Sequence, residues 1–289
     1  MDQNAIITLG INAIIILSMV IVGLDVTAGE FRVLLKRPKP VLVGFLALTL
    51  FVPISIGFTQ LTDLPPSLDA GILLLAICPT GSIANLYTSV ARANLALSIT
   101  LAIITGLLAF LSMPLWIFFY STLFENVVEF QVPFSLLLSR LFMLIALPIA
   151  IGMWVRSRFP GFERKFHSIL KRVALLGVVT LGTYIIFHDR KGFTSGFGLT
   201  ALSAIILSVL SMFVSFVVAG LFRLNLRDRI TLLLISPVKN FGVAIAIAVG
   251  ILHQAEFAVF ATTMFMAQLP IFLGAGLLLR RFALEKPSS

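Results

Sequence analysis

The chain has 289 residues, of which 59% are hydrophobic and 11% charged, with a formal net charge of +9. A soluble domain carries about 25% charged residues, and one this size cannot hide so much apolar surface from water, so the composition calls for lipid as solvent. The positive balance does not mark a nucleic-acid binder, because the basic residues sit in short loops and form no continuous polar face. Cys78 is the single cysteine, which excludes an intrachain disulfide and a cysteine-based metal cluster.

Backbone in hydrocarbon must satisfy its own hydrogen bonds, and apolar runs of about 20 residues without period-2 alternation select helices over a barrel. In chain order the runs predict an all-α polytopic membrane protein with nine transmembrane helices. They lie near 5–24, 40–60, 69–90, 95–120, 133–155, 172–188, 197–222, 230–252 and 257–280. Only four residues precede the first run, too few for a charged signal-peptide region, so it is expected to remain a membrane span. The longest outer connection is expected near 121–132, and Arg140 in the fifth run reads as an interfacial anchor.

The third run is interrupted at Cys78-Pro79-Thr80-Gly81-Ser82-Ile83-Ala84-Asn85. Proline removes a backbone donor and crowds the preceding turn, while glycine accepts non-helical angles. The eighth run is interrupted in the same way at Ser236-Pro237-Val238-Lys239-Asn240-Phe241-Gly242. Asn85 stands 29 positions before Pro114 (114 − 85), and Asn240 stands 30 before Pro270 (270 − 240). The two runs point in opposite directions, so the sequence predicts an inverted-repeat core with two discontinuous helices crossing at the midplane. Proline kinks and polar groups that merely glue helices together are the bland alternative.

Loop charge sets the orientation. One set of loops holds 17 basic residues: Arg32, Lys36, Arg37, Lys39, Arg92, Arg156, Arg158, Arg164, Lys165, Lys171, Arg172, Arg223, Arg227, Arg229, Arg280, Arg281 and Lys286. The other set holds Arg190 and Lys191. The bias puts the N-terminus outside and the C-terminus in the cytoplasm of a cell membrane.

The twelve acidic residues and three histidines fall in loops or near span ends, which leaves Lys239 as the clear intramembrane charge. A lysine at span centre costs on the order of 3 kcal/mol on insertion scales. It lies about ten residues, or about 15 Å, from either end of its span, beyond the reach of snorkelling. It is therefore expected to face a polar cavity, an anion, or the carbonyls freed by Pro79 and Pro237. No Ser/His/Asp, HExxH or phosphate-binding pattern lies at a plausible depth, so an enzyme is not expected.

The stretch from Cys78 to Asn85, followed by Ala96-Leu97-Ser98-Ile99-Thr100, resembles the bile acid:sodium symporter family. Gly23-Leu24-Asp25-Val26, Lys36-Arg37-Pro38-Lys39 and Gly71-Ile72-Leu73-Leu74 also fit, and the likeness extends to Asn240. The resemblance implies one transmembrane transporter domain over 1–289. Its core spans lie near 40–120 and 197–280, its panel spans near 5–24 and 133–188, and it works by alternating access. It also implies sodium as coupling ion, yet the expected ligands are largely missing. Ala84 stands where the family has a serine, Ala102 where it has a hydroxyl, and Ile235, Pro237 and Lys239 where it has a glutamate, a glycine and a glutamine.

The expected function is a secondary transporter of a small organic anion, with no resident cofactor and the lipid bilayer as its other partner. The residues expected to bind substrate or ion are Thr80, Ser82, Asn85, Ser98, Ser236, Lys239 and Asn240. The alternatives are an uncoupled uniporter or channel-like facilitator, and a solute-sensing receptor.

Overall fold

The computed structural model describes residues 3–25, 36–123, 134–159, 190–252 and 254–284, with isolated positions between 161 and 183. The predicted span at 172–188 and the outer connection near 121–132 fall largely outside the described residues. Within them the architecture is helical. The first helix, α1 (Gln3–Asp25), is followed by α2 (Pro38–Thr49) and α3 (Phe51–Leu61), which run on as one apolar rod over Pro38–Leu61. Next come α4 (Pro66–Ile77), α5 (Ile83–Val90) and α6 (Leu95–Leu123). A rod over Phe134–Arg158 contains α7 (Phe134–Leu141), a π-helical turn (Phe142–Ala146) and α8 (Leu147–Arg158). The C-terminal group is α9 (Arg190–Leu221), α10 (Leu226–Ile235), α11 (Phe241–Gly250) and α12 (Phe257–Leu284).

Five of the described helices are long and apolar enough to cross a bilayer, which makes this a multi-pass membrane protein. Runs two, four, five and nine coincide with their predicted positions. The seventh differs at its start: α9 begins at Arg190, so Arg190 and Lys191 form its first turn and not a loop. Hydropathy marks where the apolar stretch begins, and the hydrogen-bonded helix extends past it into polar residues. The π turn has a local cause. Pro148 cannot donate to the ladder, and the Leu147 N–H bonds to the carbonyl of Phe142, five residues back.

Between α1 and α8 the backbones meet through glycines, as small residues allow in membranes. A Cβ at Gly152 would meet the Val20 carbonyl and lie 2.9 Å from Gly23 Cα. Arg156 near the end of α8 donates to the carbonyl of Leu24. Gly152→Leu is therefore expected to push α1 and α8 apart and lower stability by about 2 kcal/mol, the cost of overpacking. Unfolding in detergent checks this, and an unchanged midpoint would contradict the contact.

Two helix ends take an unusual form. Arg92 and Arg223 have φ of 51° and 53°, the left-handed region usually left to glycine. Each is followed two residues later by an asparagine that caps the next helix: Asn94 Oδ1 accepts from Leu97 N, and Asn225 Oδ1 from Asp228 N.

Candidate functional site

Both predicted interruptions are real gaps in the helical ladder, and they face each other. α4 ends at Ile77, Cys78 is extended, and α5 starts at Ile83. α10 ends at Ile235 and α11 starts at Phe241. Gly81 N donates to Val238 O at 3.0 Å, and Asn240 N donates to Pro79 O at 2.7 Å. Thr80 and Lys239 thus sit opposite one another as an isolated antiparallel bridge. A Cβ on Gly81 would stand 2.7 Å from the Lys239 carbonyl oxygen, so the approach requires glycine.

The carbonyls of the two prolines themselves are not left for the lysine. Pro79 O is taken by Asn240 N, and Pro237 O accepts from Gln268 Nε2 of α12 at 3.0 Å. Lys239 is 7% exposed; its Nζ donates to Leu48 O at 3.3 Å and lies 5.0 Å from the Phe51 ring centroid. Among the described residues no carboxylate forms an ion pair with it, and Asp228 pairs with Arg37 instead.

The other predicted residues divide. Thr80 is buried, donates its N–H to Thr105 Oγ1 at 3.2 Å, and has an Oγ1 without a partner among the described residues. Asn240 caps α11 by accepting from Val243 N. Asn85 Oδ1 accepts from Ser98 Oγ at 2.7 Å, joining α5 to α6. Ser236 pairs with Ser211 of α9 at 2.8 Å as a helix-to-helix tie. Ser82 stands apart from these contacts: it precedes α5, is exposed and makes no capping bond.

Sequence reasoning missed Thr105, Ser211 and Gln268, which are single polar residues inside apolar helices. It placed Asp69 and Asp228 near span ends, and they do lie in the first turns of α4 and α10, but it did not foresee their burial: Asp228 is 1% exposed and Asp69 is buried. Asp228 accepts from Arg37 Nη2 at 3.1 Å and Asn94 Nδ2 at 2.6 Å, while Asn94 N donates to Thr231 Oγ1 at 2.8 Å. This cluster binds the starts of α2, α6 and α10 together.

A cavity of about 90 Å³ lies beside the first break, lined by α2, α3, α6 and Lys239. A second space of about 600 Å³, between α1 and α8, is walled by Leu17, Val20, Leu24, Val155 and Phe159. Those side chains offer no donor or acceptor, so that space suits acyl chains and not a polar solute.

A profile described as Sodium Bile acid symporter family matches residues 13–196, which is 184 of 289 residues and includes the first break. The chain belongs to this family. Membership makes it a membrane transporter and not an enzyme. Among its relatives is the sodium-dependent transporter YocS of Bacillus subtilis, 26% identical over 228 residues, covering 78% of this chain and 69% of that protein. The probable sodium/metabolite cotransporter BASS1, chloroplastic, of Arabidopsis thaliana is 27% identical over 176 residues, covering 61% and 43%. The ileal sodium/bile acid cotransporter of Homo sapiens is 27% identical over 171 residues, covering 58% and 47%. The chain spans less than half the length of these last two. The profile stops before the second break, so Lys239 lies beyond the matched stretch.

Proposed function

We propose that the protein is a secondary carrier of a small organic anion, working by alternating access around the two crossed breaks. The carrying observation is the Lys239 ammonium, buried at the crossing without a carboxylate partner among the described residues. An uncompensated charge in such surroundings is costly, and a substrate anion offsets that cost. The start of α11 adds partial positive charge nearby. Nine spans with an inverted repeat of spans two to four and seven to nine, and with the C-terminus cytoplasmic, complete the reading. The loop charges and the two opposed breaks support it.

Relatives are named for sodium dependence, but the second break here does not suit a sodium ion. A hard cation needs oxygen ligands, and an ammonium at close range repels it. We infer that Lys239 occupies the place of a coupling ion. The proposal is tested by flux of small carboxylates into proteoliposomes, with and without sodium and with an imposed pH gradient. Saturable, sodium-independent uptake with counterflow is expected, and Lys239→Gln should lower it about tenfold or more, since hydrogen bonds to a charged group contribute about 1.5–3 kcal/mol. Strict sodium dependence, or unchanged uptake by the variant, would remove the lysine from the mechanism. Binding without flux would make the protein a receptor.

A further inference from the structure

Lys239 has three N–H donors and uses one, in a long bond to Leu48 O. It also forms part of the wall of the 90 Å³ cavity, between the α2–α3 rod, the first break and α6. The remainder of that wall has a definite chemistry. Phe45, Val52, Leu108 and Trp116 make most of it apolar, and Thr49, Thr105 and Ser112 contribute hydroxyls. Thr49 and Thr105 already donate to carbonyls of their own helix, at 2.8 Å each. Ser112 makes no such bond among the described residues. The cavity therefore holds one full positive charge with unused donors, one free hydroxyl, and no acid.

We propose that this cavity is a seat for a compact monoanion, held between the Lys239 ammonium and the Ser112 hydroxyl. The seat rests on the carrier reading above, and deepens it by fixing the size of the group recognised. Its volume equals about three waters. That admits formate, acetate, bicarbonate or chloride, or the carboxylate head of a larger solute whose body stays outside, and it excludes a ring. Such an anion has two sources: the carried solute itself or a free inorganic ion.

The test uses the full-length protein in detergent and reads its unfolding midpoint in sodium salts at constant ionic strength, with hexafluorophosphate, a bulky anion that has no protruding head, as the reference. Wild type is expected to shift upward by several degrees in formate, acetate and chloride. The shift should vanish in Lys239→Gln, which removes the charge, and in Ser112→Leu, which fills the cavity and keeps the amine. Protection by carboxylates alone identifies the head of the solute as occupant, whereas protection by chloride as well admits an inorganic co-ion. A midpoint indifferent to the anion in wild type, or a shift retained by both variants, would overturn the seat. Liposome uptake separates the two claims. Size-independent anion flux that survives Ser112→Leu leaves the carrier reading standing without the seat. Anion-specific stabilisation without any flux leaves the seat without the carrier.

Discussion

Gly81→Val is expected to be among the most damaging single changes, because it drives a side chain into main chain. The added Cβ would lie 2.7 Å from the Lys239 carbonyl oxygen, and neither backbone can rotate aside without losing the paired bonds at Gly81 N and Asn240 N. Each buried group left unsatisfied costs about 1–3 kcal/mol, so the loss is on the order of 3 kcal/mol or more. The variant should unfold at markedly lower temperature, and transport should disappear even where protein is recovered. Gly81→Ala should lie between wild type and valine. A valine variant with wild-type stability would show that the two breaks do not touch.

Asp228→Ala is the second large effect expected. Its carboxylate gathers Arg37 and Asn94 at the starts of α2 and α6, and removing it leaves the Asn94 amide without its acceptor. Arg37 is 49% exposed, so water compensates much of its loss and the ion pair itself contributes little. The expected destabilisation is about 2 kcal/mol, arising mainly from the abandoned amide. Arg37→Met should cost about 1 kcal/mol or less. A double-mutant cycle measures the split, and a larger effect from Arg37→Met than from Asp228→Ala would reverse this assignment.

The contrast between the two breaks and their surroundings shows what a sequence makes legible here. Proline followed by glycine or asparagine inside an apolar run is a local signal, and both interruptions lie where that signal puts them. Lys239 was legible as an anomaly for the same reason, since its cost depends on depth alone. Its partner was not: Leu48 lies 191 positions away and contributes a carbonyl, which leaves no mark in residue type. Gln268, Ser211 and Thr105 are likewise ordinary in their own helices, and only the rotation of each helix against its neighbours brings them to a break. The exposure of Ser82 was not legible either, because consecutive residues entering a helix point in different directions and residue type alone does not say which of them is covered. Asp228 reads as one more charge in a basic loop until folding surrounds it.

The antiparallel bridge at Thr80 and Lys239 has one further consequence. It is fastened by amide groups that every non-proline residue possesses, so the join does not depend on what its side chains carry. The side chains of Thr80 and Lys239 are thereby not what fastens the two breaks, and position 239 can exchange one functional group for another while the join stays intact. Chemical novelty should accordingly accumulate at positions such as 239, while Gly81, which has no side chain to vary, stays fixed.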